Sequence, residues 1–153
     1  MITPFSASRR LTLLLIVAAM AAGCEPAGKA DMELTQTLTQ AAEAVAPGQV
    51  LSLDKVVTQP WDQVLLLGPY TTRDLMKETL GGDLPAALQH MRIDQRDDVN
   101  AVVFLQGGKV VAAVALPRRV ADFPKSELLR PVVRTQAQLV RGASGVAFRW
   151  QGS

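Results

Sequence analysis

Residues 100–116 read Asn-Ala-Val-Val-Phe-Leu-Gln-Gly-Gly-Lys-Val-Val-Ala-Ala-Val-Ala-Leu. Two apolar runs rich in β-branched residues, Ala101–Leu105 and Lys109–Leu116, flank Gly107-Gly108. Glycine adopts positive φ without steric cost, so a Gly-Gly pair between such runs predicts a tight hairpin. Pro117 has no amide to donate to a ladder and ends the second strand.

Working outward, the pattern alternates between helix and strand signals. On the N-terminal side, Trp61–Leu67 is an apolar run that stops at Gly68-Pro69. Its continuity predicts a strand buried on both faces. Arg73–Leu80 reads as a short helix, with Thr71 and Asp74 placed like a capping box and Gly81-Gly82 as its stop. Asp83 and Pro85 can open another short helix running to His90. Further back, Leu34, Leu38, Ala41, Ala42 and Val45 share one helical face, which predicts a core-packing helix over Asp31–Ala46. Asp31 is its expected cap, and Pro47-Gly48 its stop. Val50–Val57 is apolar and fits either strand or helix. On the C-terminal side, Arg118–Lys125 reads as a loop. Val132–Leu139 and Gly145–Trp150 read as a last pair of strands around Arg141-Gly142-Ala143-Ser144. The sum is one α+β domain over residues 31–153. Its N-terminal helix and short helices would pack on a mainly antiparallel sheet with the hairpin at its centre.

The first residues have a different character. Met1–Arg10 is polar and ends in Arg9-Arg10, and Leu11–Ala22 is apolar apart from Thr12. A charged start, an apolar core of about 7–15 residues and a small-residue exit make a secretory signal. The run falls short of the roughly 20 residues needed to span a bilayer. The exit, Met20-Ala21-Ala22-Gly23-Cys24, resembles the lipobox of bacterial lipoproteins. Gly23 and Ala22 fit the small positions, whereas Ala21 stands where that family usually has Leu. The resemblance implies a signal peptide over residues 1–23, cleavage between Gly23 and Cys24, and acylation of Cys24. It also implies a membrane-anchored protein in the cell envelope that faces the periplasm, with inner and outer membrane both open. The alternative exit is cleavage after Ala19-Met20-Ala21, which leaves a free thiol. Residues 24–30, Cys-Glu-Pro-Ala-Gly-Lys-Ala, read as a short lipidated tether.

Charge bounds the function classes. Arg9 and Arg10 leave with the signal, so 14 basic side chains face 14 acidic ones in what remains. That balance removes the compositional case for nucleic acid as a partner. The charges are unevenly placed: residues 24–108 carry 6 basic and 12 acidic side chains, and residues 109–153 carry 8 basic and 2 acidic. Pairing between the two parts is the simplest expectation, and a basic face toward anionic headgroups or a partner protein is the sharper one.

Catalytic motifs are scarce. Cys24 is the only Cys and His90 the only His. A Cys/His zinc site and any site with two His ligands are therefore excluded, and an acylated Cys24 provides no thiolate for Cys–His catalysis. Gly142-Ala143-Ser144-Gly145 lacks the spacing of a nucleophile elbow, and no phosphate-binding Gly-rich loop occurs. Asp94, Asp97 and Asp98 form an acidic cluster that could in principle hold Ca²⁺, but Arg92 and Arg96 interleave it and favour a solvated loop. No cofactor or metal is expected.

Trp61-Asp62-Gln63-Val64 with Gly68-Pro69-Tyr70, followed by Phe104, Gly107-Gly108-Lys109-Val110 and Pro117, resembles a pattern in small uncharacterised bacterial lipoproteins. That resemblance implies a class and no mechanism. A weaker likeness, to helix-plus-hairpin accessory lipoproteins of outer-membrane assembly, rests on Thr72–Gly81 and the hairpin. Trp61, Asp62, Gly68, Pro69 and Tyr70 are thus either a structural motif or the wall of an aromatic cleft, with Trp150 as a further candidate. Three functions follow in order: a non-catalytic envelope lipoprotein that binds a protein or supports assembly, a small-ligand binder near Trp61 and Tyr70, and an enzyme of unfamiliar type.

Overall fold

The computed structural model describes residues 27–143 and 145–153. The expected export segment and Cys24 lie outside them. The fold is α+β, with helices packed against two antiparallel sheets.

Helix α1 spans Ala27–Ala44. Leu34, Leu38 and Ala42 are buried, and Ala41 and Val45 pack beside them, which is the face read from the periodicity. The helix begins four residues before Asp31, so it includes part of the segment read as a tether. Asp31 sits one turn inside it and does not cap it. Its C-terminal turn has no basic side chain of its own. Arg141, from far along the chain, supplies one: its guanidinium donates to the Val45 carbonyl at 2.7 Å. Free carbonyls at a helix C-terminus need such a donor.

Val50–Val57 splits between both expected forms, strand β1 (Val50–Ser52) and the single turn α2 (Leu53–Val56). Strand β2 (Gln63–Leu67) is buried on both sides, as its continuous apolar run requires. Helix α3 (Arg73–Leu80) is capped by Thr72, whose hydroxyl accepts from the Leu75 amide at 3.3 Å. Thr71, the expected cap, instead donates its hydroxyl to the Gly68 carbonyl at 2.7 Å. Gly81 ends α3 with φ of +73°, and Gly82 donates to Lys77 O at 3.0 Å. Helix α4 covers Ala86–Met91.

Strands β3 (Val99–Gln106) and β4 (Lys109–Pro117) form the expected hairpin. Gln106 pairs with Lys109 across Gly107 and Gly108, whose φ values are +56° and +76°. Two consecutive positive φ angles match the right-handed twist of the strands, and Gly takes them cheaply. The ladder skips a residue: Phe104 faces Ala112 while Leu105 faces Val110. Val111 is therefore a bulge.

The four-stranded sheet has the order β4-β3-β2-β5, where β5 is Val132–Val133. Strand β3 lies inside it and β4 forms one edge. The run Val132–Leu139 does not form one strand. A 3₁₀ turn over Arg134–Gln136 breaks it, and β6 (Gln138–Arg141) joins a second sheet of order β1-β6-β7, with β7 at Phe148–Trp150.

Both faces of the larger sheet are covered. On one face, Val64, Leu66, Val102 and Phe104 pack with α1 and the smaller sheet. On the other, Leu65, Leu67, Val103 and Leu105 pack with Met76 of α3 and Leu88 of α4. Burial on both sides explains why these strands do not alternate polar with apolar residues.

Candidate functional site

The stretch Trp61–Tyr70 can be built up from its bonds. Trp61 is 4% exposed and packs edge-on against Phe104, with ring centroids 5.2 Å apart. Its indole N–H donates to Val57 O at 3.1 Å, and the Arg134 guanidinium lies 4.9 Å from its ring centre. Arg134 also pairs with Asp54. Asp62 braces the hairpin: its Oδ2 accepts from the Gly107 amide at 2.7 Å, and its own amide donates to Leu105 O at 2.8 Å. Gly68 lies against the end of the Leu128 side chain. A Cβ there would lie 2.5 Å from Leu128 Cδ1. The positive φ in this segment belongs to Tyr70, at +59°. Its amide donates to Ile93 O at 2.9 Å, while its side chain is 60% exposed.

These positions do not assemble into an aromatic cleft. Trp61 and Trp150 are both core residues, and Tyr70 faces solvent. Trp150 is 3% exposed, its indole N–H donates to Glu127 O at 3.4 Å, and its backbone N–H donates to Glu127 Oε2 at 3.3 Å. Glu127 is buried beside it and reaches Arg130 at 3.8 Å. A shallow groove of about 510 Å³ runs past Trp150 between Arg130, Thr135, Gln138 and Gln151, with neither Trp61 nor Tyr70 on its wall. Of the two readings of this segment, structural motif or aromatic cleft, the structure shows two packed indoles and one exposed phenol. Buried aromatics in this role contribute apolar area and need only a partner for the N–H.

The acidic cluster is likewise dispersed. Asp94 pairs with Arg73 at 3.3 Å, and Asp98 takes two bonds from Arg96 at 2.8 and 2.6 Å. That hydrogen bond, before any longer-range attraction, holds the Asp98 carboxyl below its usual range. Among the described residues, no three acidic, His or Cys side chains converge as a cation site would require.

The described ion pairs lie mostly inside each chain segment, so they leave the opposite net charges of the two segments in place. Arg118 pairs with Asp122 at 2.8 Å, and Arg130 with Glu127. Lys77 pairs with Asp83 at 3.5 Å. Among the described ion pairs, Arg134–Asp54 is the one that joins the two segments. Asp122 is further bound by Asn100, whose buried Nδ2 reaches its Oδ1 at 3.3 Å and Ala121 O at 3.1 Å. The Arg118 hydrogen bonds dominate and lower the Asp122 carboxyl below its usual range, against the opposing effect of burial.

A feature not anticipated lies along the free edge of β4. Val110–Ala113 line a groove of about 650 Å³ together with Asp31 of α1, Gln59, and Pro85, Ala86, Ala87 and His90 at α4. Burial raises the Asp31 carboxyl above its usual range, partly offset by the Ala113 amide. His90, the only His, sits on this wall with no Ser or Cys among the lining residues. The bulge at Val111 leaves no mark in an apolar run, so the sequence offers no signal for it.

Cys24 and Gly23 fall outside the described residues. No helix among the described residues is long and apolar enough to cross a membrane. No family model, curated protein or solved structure matches the chain.

Proposed function

We propose that this chain is a cell-envelope lipoprotein, exported by residues 1–23 and held at a membrane surface by acyl chains on Cys24. The folded domain would then serve a protein-binding or assembly-supporting role. The observation that carries the proposal is the order of the N-terminal sequence. Arg9-Arg10, the apolar run Leu11–Ala22, and Gly23-Cys24 follow one another at the spacing of a lipoprotein signal. Each buried methylene of an acyl chain contributes about 0.8 kcal/mol, and two or more chains give stable anchorage. A non-catalytic role is supported by how the conspicuous side chains are used: Trp61, Asp62, Glu127 and Asp122 are all spent on holding loops and strands together.

The test is direct. The parent chain expressed in a bacterium should enter the membrane fraction and incorporate labelled palmitate, and Cys24→Ala should abolish both. Membrane retention of the Cys24→Ala chain would refute the anchor.

A further inference from the structure

We infer that the domain rests on the bilayer through one particular end, formed by the start of α1 and the bulged edge of β4. This inference depends on the acylation of Cys24. Its basis is chain length. Cys24 precedes Ala27, the first residue of α1, by three positions. Three residues span at most about 11 Å when fully extended. Asp31 lies one helical turn further, about 6 Å along the axis. A sulfur-linked lipid therefore keeps Asp31, and the groove it lines with Val110–Ala113, within about 17 Å of the acyl attachment, beyond the headgroup layer of about 5–8 Å but nearer the bilayer than the rest of α1. The opposite end of α1, where Arg141 binds the Val45 carbonyl, is about 26 Å away along the helix axis.

The chemistry of this end suits a lipid surface. Val111 is 47% exposed at the bulge, and Met32, next to Asp31, is 73% exposed. Lys109 begins the same strand and is exposed. Exposed apolar side chains of this kind settle at the boundary of headgroups and acyl chains, and basic ones favour the anionic surface. The main rival occupant is an extended peptide added to the edge of β4. That edge is poorly built for it, because the Val111 bulge breaks the strand's repeat and Asp31 of α1 lines the same groove as Val110–Ala113.

The experiment uses the full acylated chain, purified from membranes and reconstituted in vesicles of phosphatidylcholine and phosphatidylglycerol. Val111→Cys, Met32→Cys and, at the far end, Gln49→Cys each carry an environment-sensitive fluorophore. All three positions are exposed, so folding is little affected. Nitroxide-bearing lipids should quench the probes at 111 and 32 at least about twofold more strongly than the probe at 49, since a boundary residue sits about 5–10 Å into the headgroup region. An aqueous quencher should show the reverse order. Equal quenching at the two ends overturns the inference, as does shielding of position 111 from both quenchers, the mark of a covering protein or second copy. Mass spectrometry of the N-terminal peptide separates the two levels. A Cys24 without lipid refutes the anchor itself, whereas a lipidated Cys24 with equal quenching refutes only the orientation.

Discussion

Trp61 gives the sharpest test of whether the Trp61–Tyr70 segment is structural. The indole is almost wholly buried, meets Phe104 edge-on and donates to Val57 O at 3.1 Å. Trp61→Ala removes the ring, leaves a cavity and orphans that carbonyl, so it should cost about 3–5 kcal/mol. Trp61→Phe keeps an aromatic ring against Phe104 and loses mainly the N–H donor. An unmet buried acceptor costs about 1–3 kcal/mol. For a domain of this size, 1 kcal/mol moves the melting temperature by roughly 3–6 °C. The Ala variant should therefore melt roughly 10–25 °C lower, and the Phe variant should fall between it and the parent. Far-UV circular dichroism during heating, repeated in urea, reads both without relying on the fluorophore removed. A Trp61→Ala chain that melts within about 2 °C of the parent, well under 1 kcal/mol on that conversion, would refute the packing account. It would also return Trp61 to the candidates for ligand contact.

Three further outcomes follow from other contacts. Tyr70 holds φ of +59° with an exposed side chain, and a left-handed non-Gly residue costs about 1–2 kcal/mol, so Tyr70→Gly should stabilise the fold by up to about 1 kcal/mol in urea titration; a loss would mean the phenol makes contacts that stabilise the domain. Asp62→Ala removes the acceptor of the Gly107 amide, which should destabilise by about 0.5–1.5 kcal/mol and speed hydrogen exchange at Gly107 more than at the Val103 amide inside the sheet. The Asp122 carboxyl is lowered in the folded state, chiefly by Arg118, so its contribution is present above the unfolded value of 3.8 and is lost as pH falls through the lower folded value. Asp122→Asn should therefore lower stability at pH 7, and the gap from the parent should close toward pH 2 in parallel melts; a gap independent of pH would rule out the Arg118 ion pair as its cause.

The parts of the fold that rest on neighbours in sequence were readable in advance. Gly107-Gly108 between β-branched runs marked the hairpin, and both glycines are in the left-handed region it needs. The stripe Leu34, Leu38, Ala42 marked the buried face of α1. Gly81 marked the end of α3. What was not readable depends on partners far along the chain. The C-terminal carbonyls of α1 bond to Arg141, and a strand-like run at Val132–Leu139 is broken so that its two ends serve different sheets. Whether Asp62 was structural or the rim of a cleft stayed open in the sequence, because its partner, the Gly107 amide, is 45 residues away. The interleaved Arg92 and Arg96 marked the acidic cluster as a solvated loop, but the sequence does not show that Arg73 folds onto Asp94.

Gly68 and Tyr70 show how a correct local rule can attach to the wrong residue. A Gly-Pro-Tyr exit from a strand suggests that Gly supplies unusual backbone freedom. In the fold the left-handed angle falls on Tyr70, the third residue of the turn closed by Thr71 N–H to Gly68 O at 3.3 Å. Pro69 supplies the fixed φ before it. The strained residue is held in place by what surrounds it: Tyr70 N–H bonds Ile93 O, and the Thr71 hydroxyl bonds Gly68 O. Gly68 is favoured for a reason that no local rule carries, because the end of the Leu128 side chain would have to shift to admit a Cβ. Leu128 in turn is positioned by the same loop in which Leu129 N–H bonds Leu66 O at 2.9 Å. The motif therefore joins the end of β2, the approach to β3 and the loop before β5. A segment with three such obligations is constrained strongly enough to account for its distinctive sequence, apart from the exposed phenol of Tyr70, which none of these bonds uses.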